Sequence, residues 1–195
     1  WVLSPHAFDK PRPAARHTIT FTKGVPTALD GKNLDPVTLI DTLEAVAGPY
    51  GIGRGIHVGD TVLGTKGRVA FEAPAADILL TAHRELEKLV LSGPQQRIKD
   101  QVATQYGDFV HEGRQLDPVC RDIEALLTSA QQRVTGDVKT GSLFIEGVIS
   151  PHSLLAATKG VYGEKAGEWT PADALGYSRI LSLPGILQTR AGGKQ

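Results

Sequence analysis

Between Gly51 and Glu72 the chain gathers His57, Asp60, Lys66, Arg68 and Glu72 among six glycines. Glycines let backbone approach a ligand closely, and turns present charged groups to it. The segment therefore fits the polar wall of a small-molecule pocket. It fits the solvated face of a hairpin equally well.

At the head of this segment, Gly51-Ile52-Gly53-Arg54-Gly55 invites comparison with a phosphate-binding loop. Its context differs. A dinucleotide fingerprint follows a strand and opens a helix, whereas these glycines follow a helical pattern and lead into strands. There is also no GxxxxGK[ST] sequence. The expectation is a loop in which two backbones pass closely. The six histidines show no HExxH or comparable ligand spacing, so no zinc site is expected. Ser150-Pro151-His152-Ser153 places hydroxyls beside an imidazole, but a triad is defined by spatial roles. Ser150 is expected as a turn or cap residue, and a hydrolase built on Ser150 and His152 is the weakest of the functional readings. Cys120 reads as a small buried hydrophobe.

The elements that hold these residues follow from periodicity. Residues 1–16, with three prolines and no periodicity, read as a lead-in linker. Ile19 and Phe21 alternate with threonines, the mark of a half-buried strand, and Val25–Leu29 returns to make a hairpin. Asp35-Pro36 and Asp117-Pro118 each place an N-cap before a proline at the first helical position. Pro74 and Gly93-Pro94 open two further helices, the second with Ile98, Val102, Tyr106, Phe109 and Val110 at helical spacing. Residues 51–71 read as short strands at Gly55–Val58, Thr61–Gly64 and Arg68–Phe71, with a turn at Gly59-Asp60. A last hairpin runs from Arg133 to Val148, and Ser150-Pro151 and Thr170-Pro171 introduce two short helices. His83 is placed at the surface or boundary of the second helix. Elements cluster instead of alternating, so the fold class is α+β: antiparallel hairpins packed with four main helices, plus a C-terminal tail. The expected divisions are a lead-in over 1–16, a domain over 17–178 and a tail over 179–195.

Composition narrows the function. The 195 residues carry 21 Lys+Arg against 21 Asp+Glu, a net charge of zero, without the basic excess of a nucleic-acid binder. One cysteine excludes an internal disulfide framework and suits a reducing, cytoplasmic setting. No apolar run approaches the roughly 20 residues of a membrane span. The chain starts at Trp1 and contains no methionine, as expected of a processed chain or a fragment.

Seven stretches together resemble the argininosuccinate synthase family: Gly51-Ile52-Gly53-Arg54, Gly64-Thr65-Lys66-Gly67-Arg68, Phe71-Glu72-Ala73-Pro74-Ala75, Ala82-His83-Arg84-Glu85-Leu86-Glu87, Gln132-Arg133-Val134-Thr135-Gly136, Ser150-Pro151-His152-Ser153-Leu154 and Pro171-Ala172-Asp173-Ala174-Leu175-Gly176-Tyr177. The likeness runs from about Thr18 to about Leu183. It implies the C-terminal, synthetase half of a ligase of arginine biosynthesis, working as a cytoplasmic homotetramer. In that family citrulline is activated by ATP with Mg2+ as a citrullyl-adenylate, pyrophosphate leaves, and the aspartate amine then displaces AMP. The ATP-pyrophosphatase domain with its SGGxDS loop is not in this sequence. By resemblance, then, ATP contacts lie mainly outside this chain, which alone is expected to be inactive and to contribute no catalytic residue. The apolar tail after Tyr177 is expected to bury itself on a neighbouring copy.

The resemblance also marks departures. The family's citrulline-holding glutamate falls on Gly59 and its tyrosine on Phe71, while an arginine becomes Thr61 and a serine becomes Gly67. Lys66, Arg68 and Glu72 keep the family's residue types. These changes imply an acceptor other than free citrulline, namely an N-acylated form such as N-acetyl- or N-succinylcitrulline. The alternative has Asp60 taking over the ammonium contact. A rival of another class is a non-catalytic oligomerisation module that keeps the fold without the site.

Overall fold

A computed structural model describes residues 1–60, 66–141, 144–152 and 170–192. The chain forms two compact units, Trp1–Leu155 and Ala156–Gln195.

The first unit is built on a five-stranded antiparallel sheet. Its strands are β1 (Arg16–Thr22), β2 (Val25–Leu29), β3 (Lys32–Asn33), β6 (Gly136–Gly141) and β7 (Phe144–Ile149), in the order β3-β2-β1-β6-β7. Strand β1 is central. Its Ile19 and Phe21 are fully buried, as their alternation with threonine requires. Ile19 pairs with Leu29 on one side and Val138 on the other, so three apolar side chains line up across the sheet.

Helices α1 (Pro36–Ala47) and α2 (Pro74–Val90) cover this sheet. Asp35 caps α1 by accepting the Val37 and Thr38 N–H groups, and Pro36 fills the first helical position. Leu39, Leu43 and Ala47 point inward from α1, and Ala75, Ile78, Ala82 and Leu86 from α2. With Val134 and Val138 these form one continuous core. Helices α3 (Gly93–His111) and α4 (Pro118–Gln131) pack on each other outside α2. Ser92 and Gln95 make a reciprocal capping box on α3, and Asp117 caps α4. Cys120 is fully buried on α4, in keeping with its expected packing role.

Helix α3 buries none of its residues, and Ile98 and Val110 are exposed. Its apolar periodicity is real, but α3 forms an outer layer where only part of that stripe meets α4. A buried polar knot ties the layers together. Glu87 of α2, almost fully buried, accepts hydrogen bonds from Lys99 Nζ at 2.5 Å and Gln131 Nε2 at 2.6 Å. Gln131 Oε1 in turn lies 2.8 Å from His83 Nε2, whose ring tilts against Phe21.

The remaining strands, β4 (Arg54–Asp60) and β5 (Lys66–Glu72), form a separate two-stranded ribbon between α1 and α2. The expected turn at Gly59-Asp60 is absent. Gly59 pairs with Gly67 and Asp60 with Lys66, so both belong to the strand. The expected strand over 61–64 lies outside the described residues. Residues 1–16 also differ from a free linker, because Ser4 and Ala7 are buried against the domain. Ser150 accepts the His152 N–H and donates to the Thr135 carbonyl at 2.6 Å, a turn role; the helix expected from Ser150-Pro151 falls mostly outside the described residues.

In the second unit, α5 runs unbroken from Pro171 to Gly192, longer than the short helix expected and across the expected division at 178/179. Thr170 and Asp173 form its N-terminal box, with the Thr170 N–H and hydroxyl both donating to Asp173 at 2.6 Å. The first unit is thus α+β, and the described residues of the chain include five α-helices in all.

Candidate functional site

The ribbon owes its position to Gly53. This residue has φ +73°, in the left-handed region, and its space is filled by the backbone of Ala73 and Pro74. Only glycine meets both conditions. The Gly53 carbonyl accepts the Ala73 N–H at 3.0 Å, which closes the ribbon's base just before α2 begins. The glycine-rich stretch is therefore a close backbone crossing, as its context suggested. It does not fit a nucleotide phosphate. Side chains added at Gly51 and Gly55 would meet the rings of Phe8 and Phe71, so these glycines make room for protein, not for an anion. Nor do the described residues include a cluster of His, Cys, Asp or Glu able to hold a metal ion.

The pairing register sorts the candidate residues by face. Arg54 opposes Glu72, Ile56 opposes Ala70, Val58 opposes Arg68 and Asp60 opposes Lys66. Those positions share one face, because directly opposed residues of an antiparallel pair project to the same side. The alternate pairs, Gly55 with Phe71, His57 with Val69 and Gly59 with Gly67, occupy the other. His57, Gly59 and Phe71 are thus brought together. Positions 60, 66, 68 and 72 fall on the opposite side, so His57, Asp60, Lys66, Arg68 and Glu72 do not line a single wall. On the first face Arg68 is exposed, and the Asp60 and Lys66 side chains are outside the described set.

Glu72 has a partner set that residue types did not reveal. Its carboxylate accepts N–H groups from Val2, Leu3 and Ser4, the last two at 2.9 Å, and the Ser4 hydroxyl. Burial pushes its pKa up, but the Ser4 hydroxyl and these backbone donors outweigh that and hold it at about 2. Beside it Arg54 Nε donates to Ser4 Oγ at 2.6 Å, and its guanidinium also donates to the Ser4 carbonyl. The Arg54 guanidinium lies between two rings, 5.0 Å from the Trp1 centroid and 4.9 Å from that of Phe8. Residues 1–9 are therefore a strap fastened to the base of the ribbon. Residue types gave no role to Ser4, and Arg54 entered only as part of the glycine-rich Gly51-Ile52-Gly53-Arg54 stretch and its resemblance.

On the other face the His57 ring folds over Gly59. A Cβ at Gly59 would meet its Nε2, with Cδ2 at 3.2 Å and Cε1 at 3.3 Å. The Phe71 ring lies over Gly55 in the same manner. Gly59 and Phe71 are four residues apart along the ribbon, about 13 Å at the usual strand rise. Val69 and Phe71 remain 57% and 43% exposed between and beside the two glycines.

The comparisons with known proteins fall on this whole arrangement. Residues 2–187 match the family described as arginosuccinate synthase C-terminal domain. The chain belongs to that family. It is 40% identical over 181 residues to the argininosuccinate synthase of Xanthomonas campestris pv. campestris, covering 91% of this chain and 45% of the relative. Against the argininosuccinate synthase of Clostridium perfringens it is 34% identical over 188 residues, 94% of the chain and 46% of the relative. The argininosuccinate synthase of Methanocaldococcus jannaschii is 38% identical over 151 residues, 75% of the chain and 38% of the relative. The chain thus spans less than half the length of these curated relatives. As a member of the arginosuccinate synthase C-terminal domain family, it includes the strap: the matched region begins at residue 2, so the Ser4–Glu72 anchor lies inside the family domain.

Proposed function

We propose that this chain is the acceptor-binding, C-terminal half of an argininosuccinate synthase-type ligase, which joins citrulline or an N-acylated citrulline to aspartate as ATP is cleaved to AMP and pyrophosphate. Membership of the family over nearly the whole chain carries this reading. The geometry supports it in one particular: the two positions that answer to the citrulline-holding residues, Gly59 and Phe71, share one ribbon face.

The chain's own residues bind and orient in this scheme. The ribbon presents His57, Val69 and Phe71 to the acceptor, and Arg54, Glu72 and the strap fix the ribbon's base so that the face is held at one angle. ATP and Mg2+ are assigned in this reading to an ATP-pyrophosphatase half; at Gly51 and Gly55 the space beside the glycines is filled by the Phe8 and Phe71 rings. The setting is cytoplasmic, and the assembly a homotetramer to which α5 contributes. Among the described residues no helix is long and apolar enough to cross a membrane. Tyr177, Ile180 and Leu183 of α5 are exposed apolar residues at three-residue spacing, suited to packing on another copy.

Calorimetry tests the division of labour. The isolated chain is expected to give no saturable heat with Mg·ATP, whereas the ligase containing both halves binds it. Tight, Mg-dependent binding to the isolated chain would reject the half-enzyme reading. An oligomerisation module, the alternative, would leave the two-half protein without acceptor-dependent pyrophosphate release.

A further inference from the structure

The ribbon's own sequence leaves its strand register weakly determined. Gly55 and Gly59 of β4 and Gly67 of β5 bring no side chain to the pairing. Apolar residues lie on both faces, Ile56, Val58 and Ala70 on one and Val69 and Phe71 on the other. Among the described residues none of these joins the core, and Ile56, Val58, Val69 and Phe71 are exposed. Register is strongly specified where one face of a strand pair is buried, and weakly in glycine-rich or two-sided strands. A slip of β5 by one residue against β4 would move Phe71 to the face opposite His57 and Gly59, and no core burial opposes it.

At the ribbon's base the strap supplies what the ribbon lacks. Arg54 opens β4, Glu72 closes β5, and the two are directly opposed, so both project to the same side. The Ser4 hydroxyl sits between them, accepting from Arg54 Nε at 2.6 Å and donating to the Glu72 carboxylate. One oxygen atom thus stitches the two strands together through their side chains. Ser4 is fully buried and held on either side of that stitch. Glu72 accepts the N–H groups of Val2, Leu3 and Ser4, and Arg54 donates to the Ser4 carbonyl. The strap in turn is seated where α1 ends. A Cβ at Gly48 would meet the Leu3 carbonyl oxygen at 2.6 Å, and one at Gly51 would meet the Phe8 ring and Ala7. A one-residue slip would put Arg54 and Glu72 on opposite faces, out of reach of a single hydroxyl. The Gly53–Ala73 hydrogen bond closes the base through backbone atoms, which do not distinguish one side chain from another.

We propose that the strap is the register lock of the ribbon, with Ser4 as its positioning residue: the hydroxyl selects the pairing of β4 with β5 that brings His57, Gly59 and Phe71 onto one face. The lock stands on the fold alone, and its consequence for an acceptor rests on the proposed function. With the lock open the ribbon divides among registers, and only the fraction in the native register binds. Apparent affinity falls by that fraction while the bound state is unchanged. Loss of the Ser4 hydroxyl should therefore raise KM and spare kcat, because saturating acceptor draws the ribbon back into register.

NMR and amide exchange on the 195-residue chain test the lock. In the parent, cross-strand contacts of Ile56 with Ala70 and of Val58 with Arg68 are expected as a single set. Ser4→Ala should weaken them, add contacts from a slipped register, and speed exchange of the ribbon's amides about tenfold, the scale of one lost charge-assisted hydrogen bond. The Ile19 and Val138 amides of the core sheet should keep the parent's exchange. Arg54→Lys, which keeps the charge without the Nε donor, should give the same pattern as Ser4→Ala, and the parent's pattern there would overturn the stitch. A single register with unchanged exchange in Ser4→Ala would mean that the Gly53–Ala73 crossing and residues 61–65 suffice, and would overturn the lock. Faster exchange shared equally by Ile19 and Val138 would overturn it too, since the strap would then be an ordinary part of the core. In the ligase containing both halves, Ser4→Ala should raise KM for citrulline or N-acetylcitrulline, whichever supports pyrophosphate release, by about tenfold with kcat nearly unchanged. A fall in kcat at unchanged KM overturns the positioning role. Absence of release from the parent ligase with both acceptors rejects the proposed function, while the exchange measurement still decides the lock.

Discussion

The Gly53 carbonyl and the Ala73 N–H meet at 3.0 Å, and this hydrogen bond closes a ribbon from which, among the described residues, none enters the domain's hydrophobic core. The fold is thereby divided in labour. The sheet and its two covering helices supply stability, and the ribbon is free to present side chains on both faces. Gly53→Ala should therefore be costly in a specific way. The left-handed φ and the backbone of Ala73 and Pro74 leave a methyl group no place, so a loss of about 2 kcal/mol or more is expected. Urea unfolding of the two proteins measures it. Gly31→Ala is the control, because Gly31 shares the left-handed φ but meets nothing within 4 Å and should cost less.

The strap is acid-sensitive through Glu72. Its pKa is lowered to about 2 in the folded chain, below the ordinary 4.5. A depressed carboxyl contributes its stabilisation in full above the ordinary value and loses it as pH falls through the folded one. The amides of Val2, Leu3 and Ser4 should thus stay protected from hydrogen exchange above about pH 4.5 and lose protection between there and about pH 2. Glu72→Gln should show weakened protection at neutral pH. Unchanged exchange of these amides down to pH 2 would contradict the anchor.

Lys99 and Glu87 fasten the outer helix layer. Helix α3 buries none of its residues, and it is tied to α2 by the Lys99–Glu87 ion pair at 2.5 Å and the exposed Arg84–Asp100 pair at 3.4 Å. Lys99→Met leaves a nearly buried carboxylate with Gln131 as its main partner and should destabilise by about 3 kcal/mol. The double change Lys99→Met with Glu87→Leu should cost less than Lys99→Met alone, since it removes the stranded charge. Thermal unfolding of the set decides between these orders.

Much of this architecture was legible in the sequence for local reasons. Asp35-Pro36 and Asp117-Pro118 start helices where their caps say, because a cap is made within three residues of chain. The alternation of Ile19 and Phe21 marks the central strand for the same reason. What stayed hidden is non-local. Glu72 binds residues 68 to 70 positions away, and nothing in a proline-bearing lead-in announces that partner. Gly59-Asp60 has the composition of a turn, yet cross-strand pairing with Gly67 and Lys66 keeps it extended. The same register determines that His57 joins Gly59 and Phe71 while Asp60 does not, a distinction invisible until the strand pairing is known.

Helix α5 should drive self-association. Ile180 is 73% exposed in its unit, with Tyr177 and Leu183 on the same side. Ile180→Asp is expected to shift light-scattering mass toward the monomer at concentrations where the parent is assembled. A parent that is monomeric at high concentration would count against the assembly role.

The central claim is that the ribbon is the acceptor-binding device of a ligase half, and excising it tests this most directly. The hydrogen bond between Gly53 and Ala73 leaves the base closed, and no described residue of 55–71 belongs to the core, so this segment can be replaced by a two-glycine turn. In the ligase containing both halves, the account predicts cooperative unfolding retained and acceptor-dependent pyrophosphate release abolished. Release at the parent's rate with the ribbon gone would contradict it.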